Sequence, residues 1–331
     1  MADVARELNV SQATVSYVLN GRGGNLVGER TRERVLQMAQ QMGYRPNRAA
    51  QSLAGKSSNV IELCINSFSP AYYAQVLQAF YLQMASTTYQ LHVVNPSNTS
   101  EKEWDSVGSD WPMDGLIIAD THVPDSAIST LIQSGVPVVA AGIYARTYID
   151  QVQVDVASAV SEAVHHMASR GKRVAYVSLW PAEHFASNVD PRYPAYNRVM
   201  REFGLQEELI VTSETPGIPL RQSTRALVRD YIIHNGAPDG IFCFNDERAI
   251  GTLAALRDLS LKVPEDVMLI GCDGIEETAY HSPSISTIQY PYDEMARLTW
   301  EFLRYRIEEP NAPLKNTTLT AELVLRDSSA H

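Results

Sequence analysis

Cysteine is scarce in this chain, with Cys64, Cys243 and Cys272 the three among 331 residues. An odd number without metal-like spacing argues against a disulfide framework and against a thiolate zinc site, and it fits buried thiols in a reducing compartment. No apolar run approaches the roughly 18 residues that a membrane-spanning helix needs. The opening MADVARELNVSQATVSYVLNG has no apolar core segment and no cleavage site of the secretory kind, so a cytoplasmic protein is expected. Catalytic patterns are missing as well. The eight histidines form no H-E-x-x-H, there is no G-x-S-x-G turn, and no G-x-G-x-x-G follows a strand. AQSLAGKS (50–57) matches a relaxed phosphate-loop pattern, but it precedes a strand where such a loop must follow one. No enzyme, cofactor or metal is expected.

What the chain does have is enough apolar material for a globular core, 45% hydrophobic against 20% charged residues, and a length suited to two or three domains. The net charge is −11 and unevenly spread. Residues 1–58 hold eight basic side chains against four acidic ones, leaving 19 against 34 for the rest. A basic head on an acidic body is the asymmetry of a small module that meets phosphates while the remainder is repelled by them.

The head reads as short helices. Val4, Ala5 and Leu8 make one apolar face, and Asn9-Val10 interrupts it. Ser11 is placed to cap a second helix carrying Val15, Val18 and Leu19 at helical spacing. After GRGGN (21–25) comes a third helix, with Val35, Met38, Ala39 and Met42 on one stripe and Gly43 and Pro46 at its end. From Val60 onward, short apolar strands alternate with amphipathic helices. VIELCI (60–65), LHVV (91–94), GLIIA (115–119) and VPVVAA (136–141) form a first series. VQVDV (152–156), VAYVSL (174–179), LIVT (209–212), GIFCF (240–244) and VMLIGCD (267–273) form a second. This alternation predicts two α/β lobes with parallel sheets and right-handed crossovers, and a ligand cleft between them.

Two short helices joined by a tight turn predict a helix-turn-helix, with Gln12, Ala13, Ser16 and Tyr17 turned away from the core toward base edges and phosphates. DVARELNVSQATVSYVLNG resembles the opening signature of the LacI/GalR repressors, and TRERVLQMAQQMGYRPNRAAQSLAGKSS resembles their third helix and hinge. The resemblance implies that Gln12, Ala13 and Tyr17 read bases while Thr14 and Ser16 touch phosphates. It likewise implies that Asn47, Arg48, Ala50 and Leu53 form the hinge, with Leu53 the apolar wedge in the minor groove. GRGGNLVGERT is two residues longer than the family's turn, so phosphate contacts do not carry over to it.

FNDERAIGTLAALRDLSLKVPEDVMLIGCDG (244–274) and SPSISTIQYP (282–291) resemble the family's effector domain, of the type I periplasmic sugar-binding kind. The effector residues so implied are Tyr72, Tyr73, Arg192, Asn245 and Asp273, a set whose rings suit a sugar's C–H surface and whose polar groups suit its hydroxyls. Asn245 and Asp246 are also candidate helix caps.

The implied fold is an all-α helix-turn-helix domain followed by a two-lobed α/β periplasmic-binding-protein-like domain with parallel sheets and three crossovers. The implied domains are a head at 1–46, a hinge at 47–57 and an effector and dimerisation domain at 58–331. Its N-lobe would hold residues 58–152 and 287–318, and its C-lobe 153–286 and 319–331. The expected protein is a repressor that binds a pseudo-palindromic operator in double-stranded DNA as a homodimer. A small molecule, a sugar or sugar derivative, would control it, with no cofactor and no membrane contact. The alternative is a sugar-binding sensor that does not bind DNA.

Overall fold

The computed structural model describes residues 2–19, 27–43, 57–65, 70–95, 112–121, 123–181, 190–212 and 217–330. The chain divides near Ser58 into a helical head and an α/β body.

In the head, helices α1 (Ala2–Leu8), α2 (Gln12–Leu19) and α3 (Glu29–Gln41) close on Val4, Ala5, Leu8, Val15, Val18 and Val35. The turn between the first two places Asn9 at φ 53°, a left-handed conformation that asparagine tolerates, and returns the Val10 amide to the Ala5 carbonyl at 3.0 Å. Ser11 caps α2, its hydroxyl accepting the Thr14 amide at 3.0 Å. Met42, expected on the apolar stripe of α3, lies one residue past the last turn and is exposed, because Gly43 at φ +60° has already turned the chain.

The body begins with β1 (Val60–Ile65), α4 (Pro70–Met84), β2 (Gln90–Val94), β3 (Gly115–Ala119), α5 (Asp125–Gln133), β4 (Val138–Gly142) and β5 (Asp150–Asp155). It continues through α6 (Ala157–Ala168), β6 (Val174–Ser178), α7 (Arg192–Glu202), β7 (Glu208–Val211), α8 (Leu220–Asn235), β8 (Gly240–Cys243), α9 (Asp246–Asp258) and β9 (Met268–Ile270). It ends with β10 (Thr287–Gln289), α10 (Tyr292–Glu308), β11 (Asn316–Thr320) and β12 (Glu322–Val324).

A first parallel sheet has the order β11-β5-β4-β3-β1-β2 and a second the order β7-β6-β8-β9, while β10 and β12 form an antiparallel pair. The chain passes between the sheets three times: after β5, between β9 and α10, and after β11. One sequence expectation is corrected here. VQVDV was expected to open the second series, yet β5 belongs to the first sheet, clamped between β4 and β11. Its partner β11 lies some 160 residues downstream in the chain, so local alternation could not reveal the pairing.

One apolar cluster runs continuously from Ile61 and Leu63 of the first sheet, through Tyr72, Tyr290 and Cys272, to Tyr176 and Phe242 of the second. The three cysteines are free and buried, as their scarcity predicted. Among the described residues, no helix is long and apolar enough to cross a membrane.

Candidate functional site

In the head, the packing of Val15 and Val18 against α1 and α3 decides which face of α2 looks outward. Gln12, Ala13 and Tyr17 are exposed, and Thr14 and Ser16 are half-buried. The Thr14 hydroxyl sits 2.9 Å from that of Ser11, at the amino end of the helix. Five of the nine residues implied for DNA thus lie exposed or half-buried on one helix, and the 45% exposure of Tyr17 is what a base-reading side chain needs before its target arrives. Asn47, Arg48, Ala50 and Leu53 lie outside the described residues.

The residues implied for the effector gather near the carboxyl ends of parallel strands, where open α/β sheets bind their ligands. Arg192 opens α7 and is 5% exposed. Its Nε and Nη2 donate to the two carboxylate oxygens of Asp190 at 3.0 and 2.6 Å, and its Nη1 donates to the Phe244 carbonyl at 3.0 Å. Its guanidinium carbon stands 3.7 Å from the centre of the Phe244 ring, which in turn meets Trp180 edge-on at 5.5 Å. The charge, the fork and the stacking surface are therefore fixed before any ligand enters.

Asn245 follows β8 and caps α9, its Oδ1 accepting the Arg248 amide at 3.0 Å. The capping alternative therefore applies to Asn245. Asp246 does not cap. It is fully buried and accepts the Thr287 hydroxyl at 2.7 Å and the Ile275 amide at 2.9 Å, tying α9 to the crossover; burial pushes its carboxyl up to about 6.

Asp273, at φ 125°, is 4% exposed. Its carbonyl accepts the Tyr292 hydroxyl at 2.5 Å and its amide donates to Ile288 at 3.1 Å. Among the described residues no donor reaches its carboxylate, whose oxygens are not among the fully buried atoms left without a partner. Burial, and then the like charge of Asp246, hold it well above the usual carboxylate range, against the opposing pull of Arg192.

Tyr72 and Tyr73 lie side by side in the first turn of α4, and both hydroxyls turn to Asp120. Tyr72 donates to its carboxylate, and Tyr73 donates to its carbonyl at 3.2 Å. Asp120 also accepts the Ile143 amide at 2.6 Å. It is half-buried, and burial pushes its carboxyl up to about 7, with Ile143 and Arg192 pulling down and Asp190 pushing up. The close approach of Asp120 to the backbone depends on Gly142, at φ +116°, where a Cβ would overlap that carboxylate.

The structure thus gathers Tyr72, Tyr73, Arg192, Asn245 and Asp273 into one set of neighbouring side chains, together with Asp120, Asp190 and Phe244, which sequence reasoning missed. Asp120 had a signal: it is the first charged residue after the apolar strand GLIIA, at the carboxyl end where such sheets bind ligands.

A three-helix head with a polar second-helix face, followed on one chain by a two-lobed α/β body with a charged, aromatic cleft, is the build of a ligand-responsive DNA-binding regulator. Residues 1–47 match the profile of the bacterial regulatory proteins of the lacI family, and residues 164–329, half of the chain, match that of a periplasmic binding protein-like domain; the chain joins a LacI helix-turn-helix domain to a periplasmic-binding-protein-like domain. It is 29% identical over 323 residues to catabolite control protein A of Staphylococcus epidermidis, covering 94% of this chain and 95% of that protein. A LacI-family transcriptional regulator from Silicibacter pomeroyi has the same fold with a TM-score of 0.84 at 25% identity, covering 100% of this chain and 99% of that one. The lac repressor dimer bound to operator and the anti-inducer ONPF gives a TM-score of 0.80 at 21% identity, covering 99% of this chain and 98% of that one. The family is one of transcription regulators, not of enzymes.

Proposed function

We propose that this chain is a cytoplasmic, ligand-controlled transcriptional repressor that binds a pseudo-palindromic operator as a homodimer and joins the nucleoid when so bound. Its domains are the head (1–46), the hinge (47–57) and the effector domain (58–331), whose N-lobe takes in β5 and β11 whole. Gln12, Ala13 and Tyr17 read bases, Thr14 and Ser16 hold phosphates, and Asn47, Arg48, Ala50 and Leu53 form the hinge in the minor groove. The effector, a sugar or sugar derivative, is held by Tyr72, Tyr73, Arg192, Asn245 and Asp273, with Asp120 and Phe244. Relatives support this class of ligand: one similar structure is a complex of the regulator CelR with cellobiose, and another is a LacI-family regulator from Enterococcus faecium with bound ribose.

The observation that carries the reading is the buried Arg192, forked onto Asp190 and stacked on Phe244 beside Asn245, on the chain that also bears the head. Control needs only that the effector prefer one lobe arrangement over the other.

Selection of bound duplexes from a random DNA pool tests this. Enriched sequences should contain an inverted repeat, and affinity for them should fall steeply with salt. A fragment from Ser58 onward should lose DNA while remaining folded. Retained binding by that fragment, or enrichment without symmetry, would overturn the reading.

A further inference from the structure

The turn after β9 is bonded to both halves of the body, by opposite edges. Its amide edge is held on the side of the second sheet. The Asp273 amide donates to the Ile288 carbonyl at 3.1 Å, that of Gly274 to the Thr287 hydroxyl at 3.1 Å and that of Ile275 to the Asp246 carboxylate at 2.9 Å. Asp246 opens α9, which packs on β8 and β9. The carbonyl edge of the turn meets elements of the first sheet. The Asp273 carbonyl accepts the hydroxyl of Tyr292, the first residue of α10, at 2.5 Å, and the Gly274 carbonyl accepts the side-chain amide of Gln75 in α4 at 3.4 Å. Helix α10 packs on β3, β4 and β5 and on α4. Two more tyrosines reinforce the junction. The Tyr290 hydroxyl stands 3.4 Å from the Cys272 sulfur, and the Tyr72 ring of α4 lies 5.9 and 5.8 Å from those of Tyr290 and Tyr292.

We infer that Tyr292 and Gln75 latch this turn, so that the chain's own side chains hold the two lobes of the body closed and must release the Asp273 and Gly274 carbonyls before the lobes part. The crossovers between the sheets fix where the lobes pivot; bonds made across the gap decide which arrangement is populated. Asp273 sits at φ 125°, a conformation that residues other than glycine keep only where their surroundings over-determine it, and bonding on both edges is that constraint. Asp273, Tyr290 and Tyr292 are all buried, so water competes little for the latch bonds. A cavity of about 560 Å³ borders Gln75, Tyr290 and Tyr292, which lets these side chains separate without repacking a filled core. The latch sets the resting arrangement of the lobes, and any molecule that controls the protein through them acts for or against it.

Cys272, inside the turn, reports on the latch. It is buried and free, as are Cys64 in β1 and Cys243 in β8, which lie away from the turn and serve as internal controls. Pulsed labelling of the full chain with N-ethylmaleimide under native conditions, resolved thiol by thiol by peptide mass spectrometry, measures how often each opens. The measurement needs neither DNA nor effector, so its failure is distinct from failure of the function proposed above. Gln75→Ala with Tyr292→Phe should raise the labelling rate of Cys272 roughly tenfold, the effect of losing one or two neutral hydrogen bonds, while Cys64 and Cys243 keep their rates. Gln75→Ala alone should show part of that rise, although residue 75 lies about 200 positions from Cys272 and reaches the turn only at the Gly274 carbonyl. An unchanged Cys272 rate in the double variant would overturn the latch. So would a rise shared equally by all three thiols, since that would mark a general loss of stability and no opening between the lobes.

Discussion

Arg192 and Asp190 form a two-pronged ion pair across a single intervening residue, with contacts of 2.6 and 3.0 Å and side chains exposed by only 6% and 0%. The pair changes what a substitution at Arg192 can report. If Arg192 served the ligand alone, its removal would affect binding alone. Here removal also strands Asp190 in the interior.

Arg192→Ala is therefore expected to lose effector response and, in addition, about 3–5 kcal/mol of stability, the usual cost of leaving half of a buried pair uncompensated. The double variant Arg192→Met with Asp190→Asn should recover most of that stability without recovering the effector response. Urea unfolding of the three proteins, beside effector titrations, checks both halves. Equal stability of Arg192→Ala and the parent would show that the ion pair contributes nothing to the fold.

Asp120 predicts a pH dependence. Its carboxyl sits near 7 when folded, chiefly through burial, against an unfolded value of about 3.9. The folded protein thus holds this proton more tightly than the unfolded chain does. Its contribution to stability is complete below pH ~4 and is lost as pH rises through about 7. Asp120→Asn should gain relative to the parent as pH rises across that window. Parallel stability curves for the two proteins would show that Asp120 titrates alike in both states.

Gly142 has a positional requirement that follows from Asp120. A Cβ at residue 142 would overlap the Asp120 carboxylate, and φ +116° is itself unfavourable for an L side chain. Gly142→Ala should destabilise by about 1–3 kcal/mol from the backbone alone, with more from displaced Asp120. Repeating the substitution in an Asp120→Ala background should remove the second part, leaving the first. An additive double-mutant cycle would refute the steric account.

Leu53 belongs to the proposed hinge. Leu53→Ala should leave thermal stability within about 0.5 kcal/mol, as for an exposed site. It should reduce operator bending and specific affinity, because the wedge that unstacks a base step is gone, while non-specific binding changes little. Electrophoretic mobility of permuted operator fragments measures the bend. An unchanged angle and specificity ratio would make Leu53 an ordinary linker residue.

Local pattern made the head and the strand–helix rhythm of the body legible. Val4, Leu8, Val15 and Val18 repeat at helical spacing, and that spacing by itself settles that Gln12, Ala13 and Tyr17 face outward. VIELCI and GLIIA were read to the residue because a strand buried on both faces is a short unbroken apolar run. Charge placement, basic before Ser58 and acidic after it, was likewise a property of the sequence alone. Only the tertiary structure decided that β5 joins the first sheet, since β11 arrives from far downstream to pair with it. Only the tertiary structure set Asp120 against Gly142 and Tyr72, and gave Arg192 a carboxylate on one side and an aromatic ring on the other. The reason is physical. Periodicity records which face of an element is buried, whereas the charge balance of a cleft depends on which carboxylates the fold carries together, and those here come from the ends of strands in two different sheets.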